Sequence, residues 1–219
     1  MRTLTADVNT VKTRSTLTCV TVTVPYHHGD LLEALSTEAF EQVRAKGGDA
    51  VSLRAVAQAV GVSASAAYHH FPDKTALMQE VGHRGSLELD RRTLLAADAV
   101  RGRGRRAATE RLRACGAAYI GFAQDEPHLF RHTFGPDCAG SALPGEKTKD
   151  SASYRTLGRC LDDLDRLGLL GAPRAGLDLM IWSAVHGFAS LLIEGIVPAE
   201  ATGPLMTTMV SVLVRPPTR

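Results

Sequence analysis

Residues 52–71 read SLRAVAQAVGVSASAAYHHF, from Ser52 to Phe71. The spacing predicts two short helices joined by Gly61-Val62-Ser63, the arrangement of a DNA-binding helix–turn–helix. Ser52 can cap the first helix, and Leu53, Val56, Ala57 and Val60 give it an apolar face. Ala57 is small where the two helices must cross closely. Gly61 permits the left-handed backbone a tight turn needs, and Ser63 can satisfy the first amides of the second helix. With Val56, Val60, Ala67 and Phe71 turned inward, Ala64, Ser65, Ala66, Tyr68 and His69 face outward, a set that fits a major groove. Lys74 follows at the start of the next helix, where an ammonium and free amides together can hold a phosphate.

The flanking sequence extends the helical pattern in both directions. Upstream, Asp30-Leu-Leu-Glu33 resembles a capping box, and Leu32, Leu35, Ala39, Phe40 and Val43 keep helical spacing up to Gly47-Gly48. Downstream, breaks at Gly102/Gly104, Pro127, Gly135-Pro136, Pro144-Gly145, Gly171–Pro173 and Pro198 separate about five further helices after the one starting near Lys74. There is no strand–helix alternation and no internal repeat. The expected fold class is therefore all-α, about nine helices, with a three-helix N-terminal helix–turn–helix domain ahead of a larger bundle. Three regions are expected: a flexible tail at 1–24, a DNA-binding domain at 25–74, and a ligand-binding and dimerisation domain at 75–219. The tail carries eight threonines and a short Thr18–Val24 alternation without a pairing partner, and its Lys12 and Arg14 can reach phosphates as an arm.

Composition narrows the class. The 219 residues are 44% apolar and 22% charged, a globular balance. Lys plus Arg is 25 against 23 acids, so no basic whole-molecule field draws in nucleic acid and local placement must do so. Residues 25–74 even hold four basic residues (Arg44, Lys46, Arg54, Lys74) against six acidic ones, which requires the acids of the first helix to point away from DNA. No membrane span is expected, because the most apolar stretch, Leu177–Val197, contains Asp178, His186 and Glu194. Cys19, Cys115, Cys138 and Cys160 show no paired spacing and read as reduced thiols, placing the chain in the cytoplasm.

The run from Tyr26-His-His-Gly-Asp-Leu through Tyr68-His-His-Phe-Pro-Asp-Lys74-Thr-Ala-Leu resembles the N-terminal domain of TetR-type transcriptional regulators. The resemblance implies that Ser52 and Arg54 lie at backbone or base contacts, that residues 64–69 form the recognition helix, and that Tyr68 and Lys74 hold phosphates. One departure matters. Ala64 and Ala66 stand where larger polar side chains are common in such proteins, and alanine offers only methyl contact. Base reading would then rest on Arg54, Ser65, His69 and Tyr68. Trp182, His186 and Gly187 resemble the Trp-x-x-x-His-Gly pattern of one C-terminal subclass of these regulators, and Phe130-Arg-His-Thr-Phe134-Gly resembles its middle segment.

In the second region, Leu177–Leu192 carries two apolar faces, so a helix covered on both sides is expected. Leu205, Met209, Val212 and Leu213 mark a final amphipathic helix. Two such helices against their copies would make a four-helix dimer interface, with Phe188, Leu191, Leu205, Met209 and Val212 the candidates. A small-molecule effector would lie between Leu112 and Trp182, with Tyr119, Phe122, His128, Phe130, His132, Phe134, Met180 and Trp182 as candidate wall residues. For each of these taken singly, ordinary core packing is the competing reading, and for His186 a structural hydrogen bond is preferred. Residues 135–147 read as a loop gating access, and the arginines from Arg101 to Arg113 as a solvated face.

Other chemistries fit poorly. Gly140–Thr148 imitates a phosphate loop, but Glu146 separates the glycine from Lys147 and no strand precedes it. No Gly-x-Ser-x-Gly elbow exists. The side chains of His27-His28 and of His69-His70 diverge on a helix and do not chelate one metal. Two alternatives remain: a metal-responsive regulator using His128, His132 and a cysteine, and, more remotely, an all-α enzyme acting on the pocket ligand. The preferred reading is a homodimeric, ligand-responsive repressor on a palindromic double-stranded operator, with no catalytic residue, cofactor or membrane partner.

Overall fold

The computed structural model describes residues 28–135 and 151–216, which form nine α-helices and two short 3-10 turns. In chain order these are α1 (His28–Lys46), α2 (Leu53–Val60), α3 (Ala64–His70), α4 (Lys74–Ala99), α5 (Gly104–Asp125), α6 (Pro127–Thr133), α7 (Ala152–Arg166), α8 (Leu177–Ile193) and α9 (Thr202–Leu213). The tail with Lys12, Arg14 and the Thr18–Val24 alternation lies outside the described residues, as do Cys19, Cys138 and positions 136–147 of the expected gating loop.

Local signals set the first four helices. Ser52 Oγ accepts from the Ala55 amide and Ser63 Oγ from the Ala66 amide, while Gly61 takes the left-handed conformation at φ 81°. Asp73 caps α4 by accepting from the Ala76 amide at 2.8 Å. The expected capping box does not form. α1 already begins at His28, so Asp30 sits inside its first turn, and Glu33 turns instead to α4, where Arg84 binds both its oxygens at 2.9 and 2.6 Å.

At about 1.5 Å per residue, the 26-residue α4 is roughly 39 Å long and runs from the N-terminal helices into the bundle. It packs on α1 near its start and on α5, α6 and α7 beyond. α6 lies close enough to α4 that a Cβ at Gly85 would run into Thr133 Oγ1 and Leu129. Asp90, also on α4, accepts from the amides of Ala152 and Ser153 at 2.8 and 2.6 Å, and so caps the start of α7 from a different helix. Losing that carboxylate orphans two amides at a positive helix end. Asp90→Ala is therefore expected to destabilise the protein by about 1–3 kcal/mol, read by denaturant unfolding, whereas an exposed acid such as Glu200 tolerates the same change.

One apolar core runs through the whole molecule. Leu35, Val43, Val56, Ala67 and Leu77 fill it under the helix–turn–helix, and Ile120, Phe122, Leu129, Phe130, Leu161 and Leu164 fill it inside the bundle. The stretch from Leu213 to Arg215 is pinned beside the α7–α8 connection, where the Gly171 amide donates to Leu213 and the Arg215 amide to Leu169, both at 2.8 Å.

Candidate nucleic-acid interface and effector cavity

On α3, Ala67 is fully buried, and Phe71 just after the helix nearly so, which turns Ser65, Tyr68 and His69 outward on one face. Tyr68 is 46% exposed, a large exposure for an aromatic side chain. Ala64 and Ala66 are half-buried, while Ser52 and Arg54 are exposed at the start of α2. Lys74 is exposed as well, its ammonium donating to the Asp49 carbonyl at 3.3 Å. The acids of α1 are partly drawn elsewhere: Glu33 is held by Arg84, which keeps its carboxyl at about 2, and Glu41 lies 3.6 Å from Arg44.

Arg44 itself serves the junction between α1 and the bundle. Its Nε donates to Glu126 at 2.7 Å and a second guanidinium nitrogen donates to the other carboxylate oxygen, a forked pair. Glu126, buried at the start of α6, also has Arg92 of α4 at 3.7 Å. On the same short helix, His128 lies against Gly47 and His132 against Gly48, and His132 Nε2 bonds the buried Met78 carbonyl at 2.9 Å. The two histidines do share a face, which lies over the Gly47-Gly48 turn after α1, with His132 buried and His128 exposed. Among the described residues no group of three His, Cys, Asp or Glu gathers to hold a metal. Of the arginine run, Arg101, Arg103 and Arg106 are exposed, whereas Arg111 donates to the Gly102 carbonyl at 2.6 Å.

The bundle encloses a cavity with about 40 Å³ of free space. Its walls come from Thr93 on α4, from Leu112, Cys115, Gly116 and Tyr119 on α5, and from Ser153 and Leu157 on α7. Ile181, Trp182 and Val185 on α8 and Met206, Met209 and Val210 on α9 close it. Of the eight wall residues expected from sequence, only Tyr119 and Trp182 line this space. Phe122 and Phe130 are buried in the core, since rings inside a closely packed bundle fill one another's gaps. Phe134 stacks beside Phe130 at 4.9 Å and Tyr119 at 6.0 Å. His128 and His132 belong to the junction, and Met180 is 53% exposed on the opposite side of α8. Met209, expected at the dimer surface, lines the cavity and is half-buried. Gly116 and Met206 escaped sequence reasoning, and their signal is small: a Cys-Gly-Ala-Ala stretch inside a helix, facing a flexible thioether.

Leu191 is 42% and Val212 74% exposed, while Phe188 and Leu205 are half-buried. His186 stacks on Trp182 with ring centres 5.1 Å apart, and its Nδ1 lies 2.9 Å from the Tyr119 hydroxyl. Burial pushes the Tyr119 hydroxyl pKa up, so it keeps its proton beside Nδ1. Burial also holds the His186 pKa below its ordinary value. A depressed imidazole contributes stability that is present above about pH 6.5 and lost as pH falls through the folded-state value. Stability measured by denaturant is expected to decline on the acid side of pH 6.5, with a change in Trp182 emission, and His186→Phe should flatten both.

A helix–turn–helix with an outward-facing second helix, carried on a helical bundle, defines a DNA-binding transcription regulator. Residues 36–81 match the family described as bacterial regulatory proteins, tetR family, and residues 112–213 match the tetracyclin repressor-like C-terminal domain. The chain belongs to the TetR family. Among solved structures it is similar to a protein of unknown function from Rhodococcus sp. RHA1, with 27% identity, 87% of this chain and 99% of that one covered, and a TM-score of 0.73. A TetR-family transcriptional regulator from Pectobacterium atrosepticum shares the fold at 21% identity and TM-score 0.64, over 87% of this chain and 97% of that one. Another, from Marinobacter aquaeolei VT8, shares it at 18% identity and TM-score 0.61, over 84% and 96%. No protein of curated function is matched by the sequence. The family fold points to a transcription factor without catalysis, and no helix among the described residues is long and apolar enough to cross a membrane.

Proposed function

We propose that the protein is a homodimeric repressor that leaves a palindromic operator when a small molecule occupies the bundle cavity. One observation carries this reading. Lys74 is the first residue of α4 and Thr93 of the same helix stands in the cavity wall, about 28 Å along it. A ligand that presses on Thr93 therefore tilts the element that positions α3.

Two α3 helices would enter successive major grooves, about 34–36 Å apart. A change in that separation weakens binding without unfolding anything. A coupling of about 1–3 kcal/mol between cavity and groove gives roughly 5–150-fold release. A second path supports the same motion: the Tyr119–Phe134–His186 cluster contacts α6, whose Glu126 and His132 grip α1 and the start of α4.

The roles proposed on α3 are distinct. Tyr68 and Lys74 contact phosphates, while Arg54, Ser65 and His69 meet base edges, with Ala64 and Ala66 offering methyl contact and Ser52 a backbone contact. Tyr68→Ala and Lys74→Ala are each expected to weaken binding of every duplex about 5–10-fold, and Lys74→Ala to reduce the salt slope by about one. Fluorescence anisotropy at two salt concentrations measures both. Unchanged affinity at moderate salt removes them from the interface.

A further inference from the structure

We propose that the effector is an uncharged, predominantly hydrophobic molecule that makes its own room by displacing the side chains of Met206 and Met209. This rests on the effector-responsive reading given above and adds the chemistry of the ligand to it.

The walls argue for neutrality. Leu112, Leu157, Ile181 and Val185 offer only hydrocarbon. Three of the polar side chains among the lining residues already have partners within the protein. Thr93 Oγ1 lies 3.0 Å from the Leu89 carbonyl, the Tyr119 hydroxyl bonds His186, and the Ser153 hydroxyl lies 3.1 Å from that of Ser151. Arg113 is the one charged lining residue; its side chain is 43% exposed at the rim, and Glu110 stands 3.6 Å away. An ion drawn inside would lose its hydration and find no buried countercharge, a cost of several kcal/mol.

The free volume argues for displacement. About 40 Å³ holds roughly three water molecules, whereas ligand pockets span about 300–1,000 Å³. The cavity must therefore open. Met206 and Met209 are the most adaptable groups in its wall, because an unbranched thioether moves through several rotamers at little cost. Gly116 shows how tightly one of them is seated: a Cβ there would lie 2.6 Å from Met206 Sδ. α8 and α9 each pack on α5 but make little contact with one another, so parting them breaks few interactions. Met209 also shares the outer stripe of α9 with Leu205 and Val212, so its displacement reaches the surface that a second copy would cover.

Trp182 is the only tryptophan in the chain and it lines the cavity, so intrinsic fluorescence reports occupancy without DNA. The full-length protein is titrated with matched pairs, 1-decanol against decanoate and borneol against camphorsulfonate. At least one neutral member is expected to shift Trp182 emission saturably and to bind at least about tenfold more tightly than its charged counterpart. Met209→Ala should tighten that binding several-fold by freeing room. Gly116→Ala should weaken it by driving Met206 inward, and thermal unfolding confirms that each variant is folded. A charged member binding as well as its neutral partner overturns the proposal. So does the absence of any saturable Trp182 response up to the solubility limit, or an affinity that neither variant changes. Saturable neutral binding that leaves DNA affinity untouched upholds this inference and contradicts the effector-released repressor. DNA release without a Trp182 response does the reverse.

Discussion

Replacing Val212 with aspartate is expected to yield a monomer and to weaken binding to an inverted repeat by about a hundredfold to ten-thousandfold. Val212 is 74% exposed, yet it follows Leu205 and Met209 along one stripe of α9, and α8 exposes Met180 and Leu191. Large apolar side chains left bare on α8 and α9 make a surface suited to a second copy. A charge in the middle of such a contact would be desolvated without a partner. The magnitude comes from linkage of two readers: with one half-site held, the second binds at high effective concentration, and a monomer forfeits that gain. Because Val212 contributes little to the monomer's own core, its unfolding free energy should stay within about 0.5 kcal/mol. Sedimentation velocity and operator anisotropy read the two effects. A dimer that persists with Val212→Asp places the interface on another surface.

Phe122→Ala is expected to destabilise the protein by about 3–5 kcal/mol, the usual cost of removing a buried ring. At about 2–4 °C per kcal/mol for a chain of this size, Tm falls by roughly 6–20 °C. Phe122 is fully buried, its ring is 6.3 Å from that of Phe130, and the Arg92 guanidinium carbon sits 5.4 Å from its centre. Arg92 in turn pairs with Glu88 and Asp125 and lies near Glu126, so the cavity left behind undermines the junction that holds α1. Were Phe122 a ligand contact, its loss would change effector affinity and leave Tm nearly unaltered. Thermal unfolding separates the two.

That contrast marks what the sequence could and could not convey. The helix–turn–helix was legible because its determinants are local: Ser52 and Ser63 cap their own helices and Gly61 makes its own turn, all within a dozen residues. The capping box at Asp30–Glu33 was misleading for the opposite reason. Its glutamate is claimed by Arg84, a residue brought near only by the fold. In the bundle, Met180, Ile181 and Trp182 are consecutive and apolar, yet Met180 meets solvent while Ile181 and Trp182 line the cavity, because each step along a helix turns about 100°. Aromatic composition therefore pointed to Phe122 and Phe130, while the wall is built from Gly116, Val185 and Met206, whose placement depends on how α8 and α9 settle on α5.

In the proposed complex, two copies of α3 read DNA at a fixed separation. Selection of bound fragments from a random duplex pool by the purified full-length protein at low salt tests it most directly. The expected product is an inverted repeat with half-site centres about one helical turn, or a multiple of it, apart, and an altered base preference when Arg54→Ala or His69→Ala is used instead. Failure to enrich any sequence, or an identical profile for all three proteins, contradicts it.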